Sequence, residues 1–83
     1  MNIDGFFIWD VNREAVHYTA KANENIILVF DSNNEWVGFS VATSGKNWNY
    51  FNLDLDWNGY WIARERGGFN VFTTEGEWIA FST

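Results

Sequence analysis

Cysteine is absent from this chain, so it holds no disulfide and no thiolate metal site. Proline is absent as well, so no residue is barred from donating to a β-ladder. Basic residues are scarce: 5 Lys and Arg stand against 11 Asp and Glu, a formal charge of −6. With no basic cluster to meet a phosphate backbone, the expected partners do not include nucleic acid. The start of the chain lacks the basic residues and long apolar run of a signal peptide, and Phe6-Phe7-Ile8-Trp9 is too short to span a membrane. A cytoplasmic protein without membrane association is the expectation. Chemistry is equally thin. The sole histidine, His17, falls opposite Ile8 on a strand, and no nucleophile elbow, triad motif or Gly-rich phosphate loop is present. Neither an enzyme nor a cofactor is indicated, and there are no candidate catalytic residues.

Aromatic residues are what the chain has in excess. At 20% of 83 residues they supply large apolar area to a chain with room for one core. The stretch Val29 to Val41 aligns without gaps on Val71 to Thr83, with six of thirteen positions identical. Each copy reads as apolar strand, polar turn, apolar strand, the pattern of a β-hairpin.

Turn signals then divide the chain into four hairpins. The first covers about Ile3 to Ala20 and turns near Asn12-Arg13. The second covers Asn25 to Ala42 and turns at Asn33-Asn34. The third covers Trp48 to Glu65 and turns at Asn58-Gly59, a pair that suits a type I′ turn. The fourth follows Gly67-Gly68, runs to the C-terminus and turns at Glu75-Gly76. Residues Lys21 to Glu24 and Thr43 to Asn47 read as loops. The expected fold is all-β: a single small antiparallel domain, residues 1–83, of about eight short strands in a meander barrel or a two-sheet sandwich. In a sandwich the unguarded strand Glu77 to Thr83 invites a homodimer. In a barrel it pairs with the first hairpin.

Two-residue turns assign faces to the strands. They place Phe30/Val37, Leu28/Phe39, Ile26/Val41 and Phe72/Ile79, with Phe81, in the core. Val29/Gly38, Ile27/Ser40, Val71/Ala80 and Phe69/Ser82 then fall on the opposite face, with Trp36 and Trp78 lying over the small residues Gly38 and Ala80.

Asp54-Leu-Asp56-Trp-Asn58-Gly59 with Glu65 matches D-x-[DN]-x-[DN]-G-x₅-E, and over these twelve residues the chain resembles the calcium loop of EF-hand proteins. The resemblance implies oxygen ligation by Asp54, Asp56, Asn58 and Glu65. The flanks lack the two helices that an EF-hand needs, so a hairpin without a metal site is the expectation. In that hairpin, period-2 alternation puts Trp48, Tyr50, Asn52, Asp54 and Asp56 on one face, joined by Trp61 and Glu65. Aromatic rings interleaved with acids and an amide suit a protein partner with a basic surface, or a sugar that stacks on a ring. The sequence therefore points first to a small acidic protein-binding module, of the inhibitor or immunity-protein kind. A carbohydrate-binding domain is the alternative, and a calcium-binding domain centred on Asp54 to Glu65 comes third.

Overall fold

The computed structural model describes residues 5–82. The expected start of the first hairpin at Ile3 and the final residue of the fourth, Thr83, lie outside them. Eight strands follow one another: β1 (Phe7–Asp10), β2 (Ala15–Asn23), β3 (Ile26–Asp31), β4 (Trp36–Ala42), β5 (Asn47–Asn52), β6 (Trp57–Ala63), β7 (Phe69–Phe72) and β8 (Trp78–Ser82). Every neighbour in sequence is an antiparallel neighbour in space, and β8 returns to pair with β1. The result is a closed meander barrel, which leaves no strand edge free among these eight. As expected for a barrel, the last strand pairs with the first hairpin, with Ala80, Phe81 and Ser82 against Asp10, Trp9 and Ile8.

One local device builds all four hairpins. Asp10, Asp31, Asn52 and Thr73 stand 21 residues apart, and each opens a three-residue loop. The side-chain oxygen of each accepts backbone N–H groups two and four residues on: Asp31 Oδ1 from Asn33 and Glu35 at 2.8 and 3.0 Å, Asn52 Oδ1 from Asp54 and Asp56 at 2.9 and 3.0 Å. Asp10 and Thr73 repeat the pattern. The last loop residue of each turn is left-handed: Arg13 at φ 66°, Asn34 at 64°, Leu55 at 68° and Gly76 at 88°. A bulge follows in every second strand, at Val16, Val37, Asn58 and Ile79. The chain is thus a fourfold repeat of a 21-residue hairpin. The likeness of Val29–Val41 to Val71–Thr83 spans two of its periods.

This frame corrects the third turn. It lies at Leu53 to Leu55, not at Asn58-Gly59. Asn58 sits on the bulge, and Gly59 is small because a Cβ there would run into the Phe72 carbonyl of β7. Asn-Gly has a strong preference for hairpin turns, and in this chain the Asn52-capped loop wins over it.

The frame also inverts the expected core. The pairings Leu28↔Phe39, Val29↔Gly38 and Val71↔Ala80 stand as anticipated, but the other face points inward. Ile8, Ile27, Val29, Trp61, Val71 and Ala80 form the buried core. Phe30, Phe39, Phe72 and Phe81 are half-buried on the outside, and Ile79 is 42% exposed. Of the expected core set, Val37 alone packs inward, from its bulge. The physical reason is size: an eight-stranded barrel has a lumen just wide enough for side chains, so small residues such as Gly38, Ser40, Ala80 and Ser82 line much of it. The displaced rings stack on each other across the seams between repeats: Tyr18 on Phe30 at 5.2 Å, Phe39 on Phe51 at 5.6 Å and Tyr60 on Phe72 at 5.1 Å. Trp9 and Phe81 pair at the equivalent position of the closing seam. Such cross-strand aromatic pairs add to barrel stability while staying half wet.

Candidate functional site

Antiparallel meander topology puts the four capped loops at one end of the barrel. The links Glu24-Asn25, Thr43–Lys46 and Arg64–Gly68 fall at the other end. The two ends differ sharply in charge. The first two capped loops carry Asp10, Glu14, Asp31 and Glu35, and the last two carry Asp54, Asp56, Glu75 and Glu77. Eight of the 11 acidic residues therefore gather at the capped-loop end, with Arg13 as the single base in those loops. Lys46, Arg64 and Arg66 lie at the far end, and Lys21 lies in the far half of β2. There the Lys46 ammonium and the Glu65 carboxylate approach to 3.9 Å, both exposed.

Most exposed apolar side chains follow the same polarity, with Phe7 and Ile62 as exceptions in the far halves of β1 and β6. Val11, Leu53 and Leu55 stand on the loops, and Trp36, Trp57 and Trp78 begin the strands that leave them. The three indoles occupy one position of the repeat, each directly after a carboxylate (Glu35, Asp56 or Glu77), and each is about half exposed at 48–49%. The Trp36 indole N–H donates to the Gly38 carbonyl at 2.8 Å, which fixes its tilt on the barrel wall. Leu55 is 71% exposed and left-handed. A non-glycine residue in that region is strained by about 1–2 kcal/mol, and an exposed leucine gains no burial to offset it.

The residues singled out from the sequence do not share a face. Trp61 is buried at 2% exposure, and Trp48 and Tyr50 point inward beside it. Asn52 caps the third loop, and Asp54 and Asp56 are exposed on that loop. Glu65 lies at the opposite end. The misplaced third turn had brought these seven together. For the same reason the EF-hand resemblance stops at sequence: β6 is extended, so Asp54 and Glu65 stand at opposite ends of the barrel. No group of three or more His, Asp or Glu side chains gathers among the described residues.

Sequence reasoning finds the equivalence of Trp36 and Trp78 but misses the lumen and the third tryptophan of the set, Trp57. Trp36 lies against Gly38 as expected, through the bond of its indole N–H to the Gly38 carbonyl. The inward side of Gly38 is covered by the Tyr50 ring, where a Cβ would come within 2.6 Å of the Tyr50 hydroxyl. Tyr50 also stacks on Trp61, at 6.0 Å and 16°. His17 lines the same interior. Burial lowers its pKa from the ordinary 6.5, against the pull of the Asp31 carboxylate, and burial raises that of Tyr50. The 21-residue period was the signal that could have found all of these.

Comparison with protein-family models, with curated proteins and with solved structures gives no match to this chain.

Proposed function

We propose that the protein is a binding module that docks on the basic surface of a protein partner through the capped-loop end of its barrel. The observation that carries this reading is the convergence on one end of eight carboxylates with Trp36, Trp57, Trp78 and the exposed Leu53 and Leu55. Aromatic anchors surrounded by charge are the anatomy of a protein interface. A dense acidic field steers a basic partner and sets its orientation. The strained Leu55 supports the same reading, since its side chain is displayed at a cost to the fold.

Binding to a partner captured from the source cell and then purified tests this. Trp57→Ala is expected to weaken binding by about 2 kcal/mol or more. Charge reversal of Asp54 and Asp56 to Lys should slow association, with the effect shrinking as salt is added. Lys46→Glu and Arg66→Glu, at the other end, should leave affinity unchanged. A partner that responds to the far-end changes and ignores Trp57 and the two aspartates overturns the reading.

One feature favours a second reading. Three half-exposed tryptophans at one repeat position, each beside a carboxylate, make three equivalent platforms on which sugar rings can stack. A neutral sugar would bind with little dependence on salt, so the same titration separates it from a basic protein.

A further inference from the structure

We propose that the barrel lumen is a binding site for a small neutral aromatic molecule with one hydrogen-bonding substituent, a ligand of the phenol class. A cavity of about 160 Å³ lies inside the barrel toward the capped-loop end. Ile8, Val29 and Val71 form aliphatic walls at one level of three repeats. Trp61 borders the cavity toward the far end, while Asn58 and Ile79, both exposed, mark the mouth. An aliphatic cavity of about 150 Å³ in a protein core accepts benzene. This one has the same capacity.

The fourfold repeat supplies an internal control on what packing alone requires. At the level of Ile8, Val29 and Val71 the third repeat places Tyr50. At the bulge, where the others have Val16, Val37 and Ile79, it places Asn58. At the small inward position held by Gly38, Gly59 and Ala80, the first repeat places His17. Aliphatic or small residues suffice at these positions in the other repeats. The three polar departures come from two separate hairpins, yet all border one cavity. No hydrogen bond joins the Tyr50 hydroxyl or the His17 imidazole to any described residue. Both groups are half-buried, so a ligand hydroxyl that bonds to one of them would take the place of water there.

The chemistry of the lining selects the ligand. Burial keeps His17 and Tyr50 in their uncharged forms near neutral pH, so the interior offers neutral donors and acceptors. Asp10 reaches the lining, but its Oδ1 is engaged by the N–H groups of Asn12 and Glu14. The acidic rim repels an anion, and the aliphatic walls disfavour a cation.

The test is titration of the whole chain with phenol and, separately, with toluene, followed by NMR of the lumen residues. Phenol is expected to saturate one site and to shift resonances of Tyr50, Trp61 and His17. Tyr50→Phe deletes only the hydroxyl and keeps the ring over Gly38, so folding is preserved. If Tyr50 is the partner, this variant should bind phenol about tenfold more weakly. If His17 is the partner, His17→Leu should do so. Toluene affinity should stay unchanged in the variant that weakens phenol. The proposal is overturned if phenol gives no saturable shifts at the lumen residues. It is equally overturned if phenol binds wild type, Tyr50→Phe and His17→Leu with one affinity.

Discussion

The third and fourth hairpins have the same backbone and nearly opposite contents. Both are opened by a side-chain oxygen, at Asn52 and at Thr73, both end their loop in a left-handed residue, and both carry a bulge at the same place. Inside the barrel, the third has Tyr50 and Trp61 where the fourth has Val71 and Ser82, and at the mouth it has Asn58 where the fourth has Ile79. At the loop tip it has Leu55 where the fourth has Gly76. The fourth follows what the backbone favours, and the third departs from it at the lumen and at the tip. A few polar contacts in the turns therefore suffice to specify the hairpin, and the remaining positions are free to carry other work. The departures fall at the two places where binding is proposed.

The largest test of this contrast is Trp61→Ala. It empties the biggest fully buried side chain of the core and should cost about 3–5 kcal/mol in urea unfolding. Phe39→Ala removes a half-wet outer ring stacked on Phe51 and should cost less, on the order of 1–2 kcal/mol. Equal losses would mean that the outer rings and not the lumen hold the barrel together.

A smaller effect separates residues at one level of the repeat. The Ser82 hydroxyl accepts the Phe69 N–H at 2.7 Å, so Ser82→Ala orphans a part-buried donor and should cost about 1–3 kcal/mol. Ser40, fully buried at the equivalent place, has no partner for its hydroxyl, and Ser40→Ala should be neutral or stabilising by the same measurement. A large loss at Ser40 would show that its hydroxyl is engaged after all.

The loop tips should respond with opposite signs. Leu55→Gly relieves left-handed strain and should raise stability by up to about 1 kcal/mol, after the extra chain entropy of glycine is subtracted. Gly76→Leu should lower it by a similar amount. If the tip serves a partner, Leu55→Gly weakens binding while it stabilises the fold. A melting series and a binding assay on one preparation read both.

The smallest effect comes from His17, which stands where the fourth hairpin has Ala80. Its folded pKa lies below the unfolded 6.5, so the unfolded chain takes up the proton first as pH falls. Stability is complete above 6.5, declines as pH drops from there toward the folded pKa, and levels off below it. His17→Gln should flatten that part of the profile and leave the losses that carboxylates cause at lower pH. An unchanged profile would mean that His17 is more solvated than its place in the lumen implies.

Particular residues show how much of this was legible. The turns at Asn33-Asn34 and Glu75-Gly76 and the neighbourhood of Asn12-Arg13 could be read because polar, turn-forming residues break apolar runs there. The third turn was not, since its loop carries Leu53 and Leu55 while Asn58-Gly59 offers a stronger local signal. That error merged Trp48, Tyr50 and Trp61 with Asp54, Asp56 and Glu65, and the inversion of faces common to the other hairpins put the rings outside. The capped-loop end joins residues from four loops spaced through the whole chain, and only the 21-residue period relates them in the sequence.

The sequence by itself determined the all-β class, the division into hairpins, the register of three of them beyond the bulge, and the acidic excess, since each depends on neighbours close along the chain. Only the tertiary structure decided between barrel and sandwich, and with it which face of every strand turned inward. Both faces are apolar enough to be buried, so period-2 patterning could not choose between them. Closure chose: a lumen of eight strands admits Gly38, Ser40, Val29 and Ala80 and has no room for the rings of Phe30, Phe39, Phe72 and Phe81 as well.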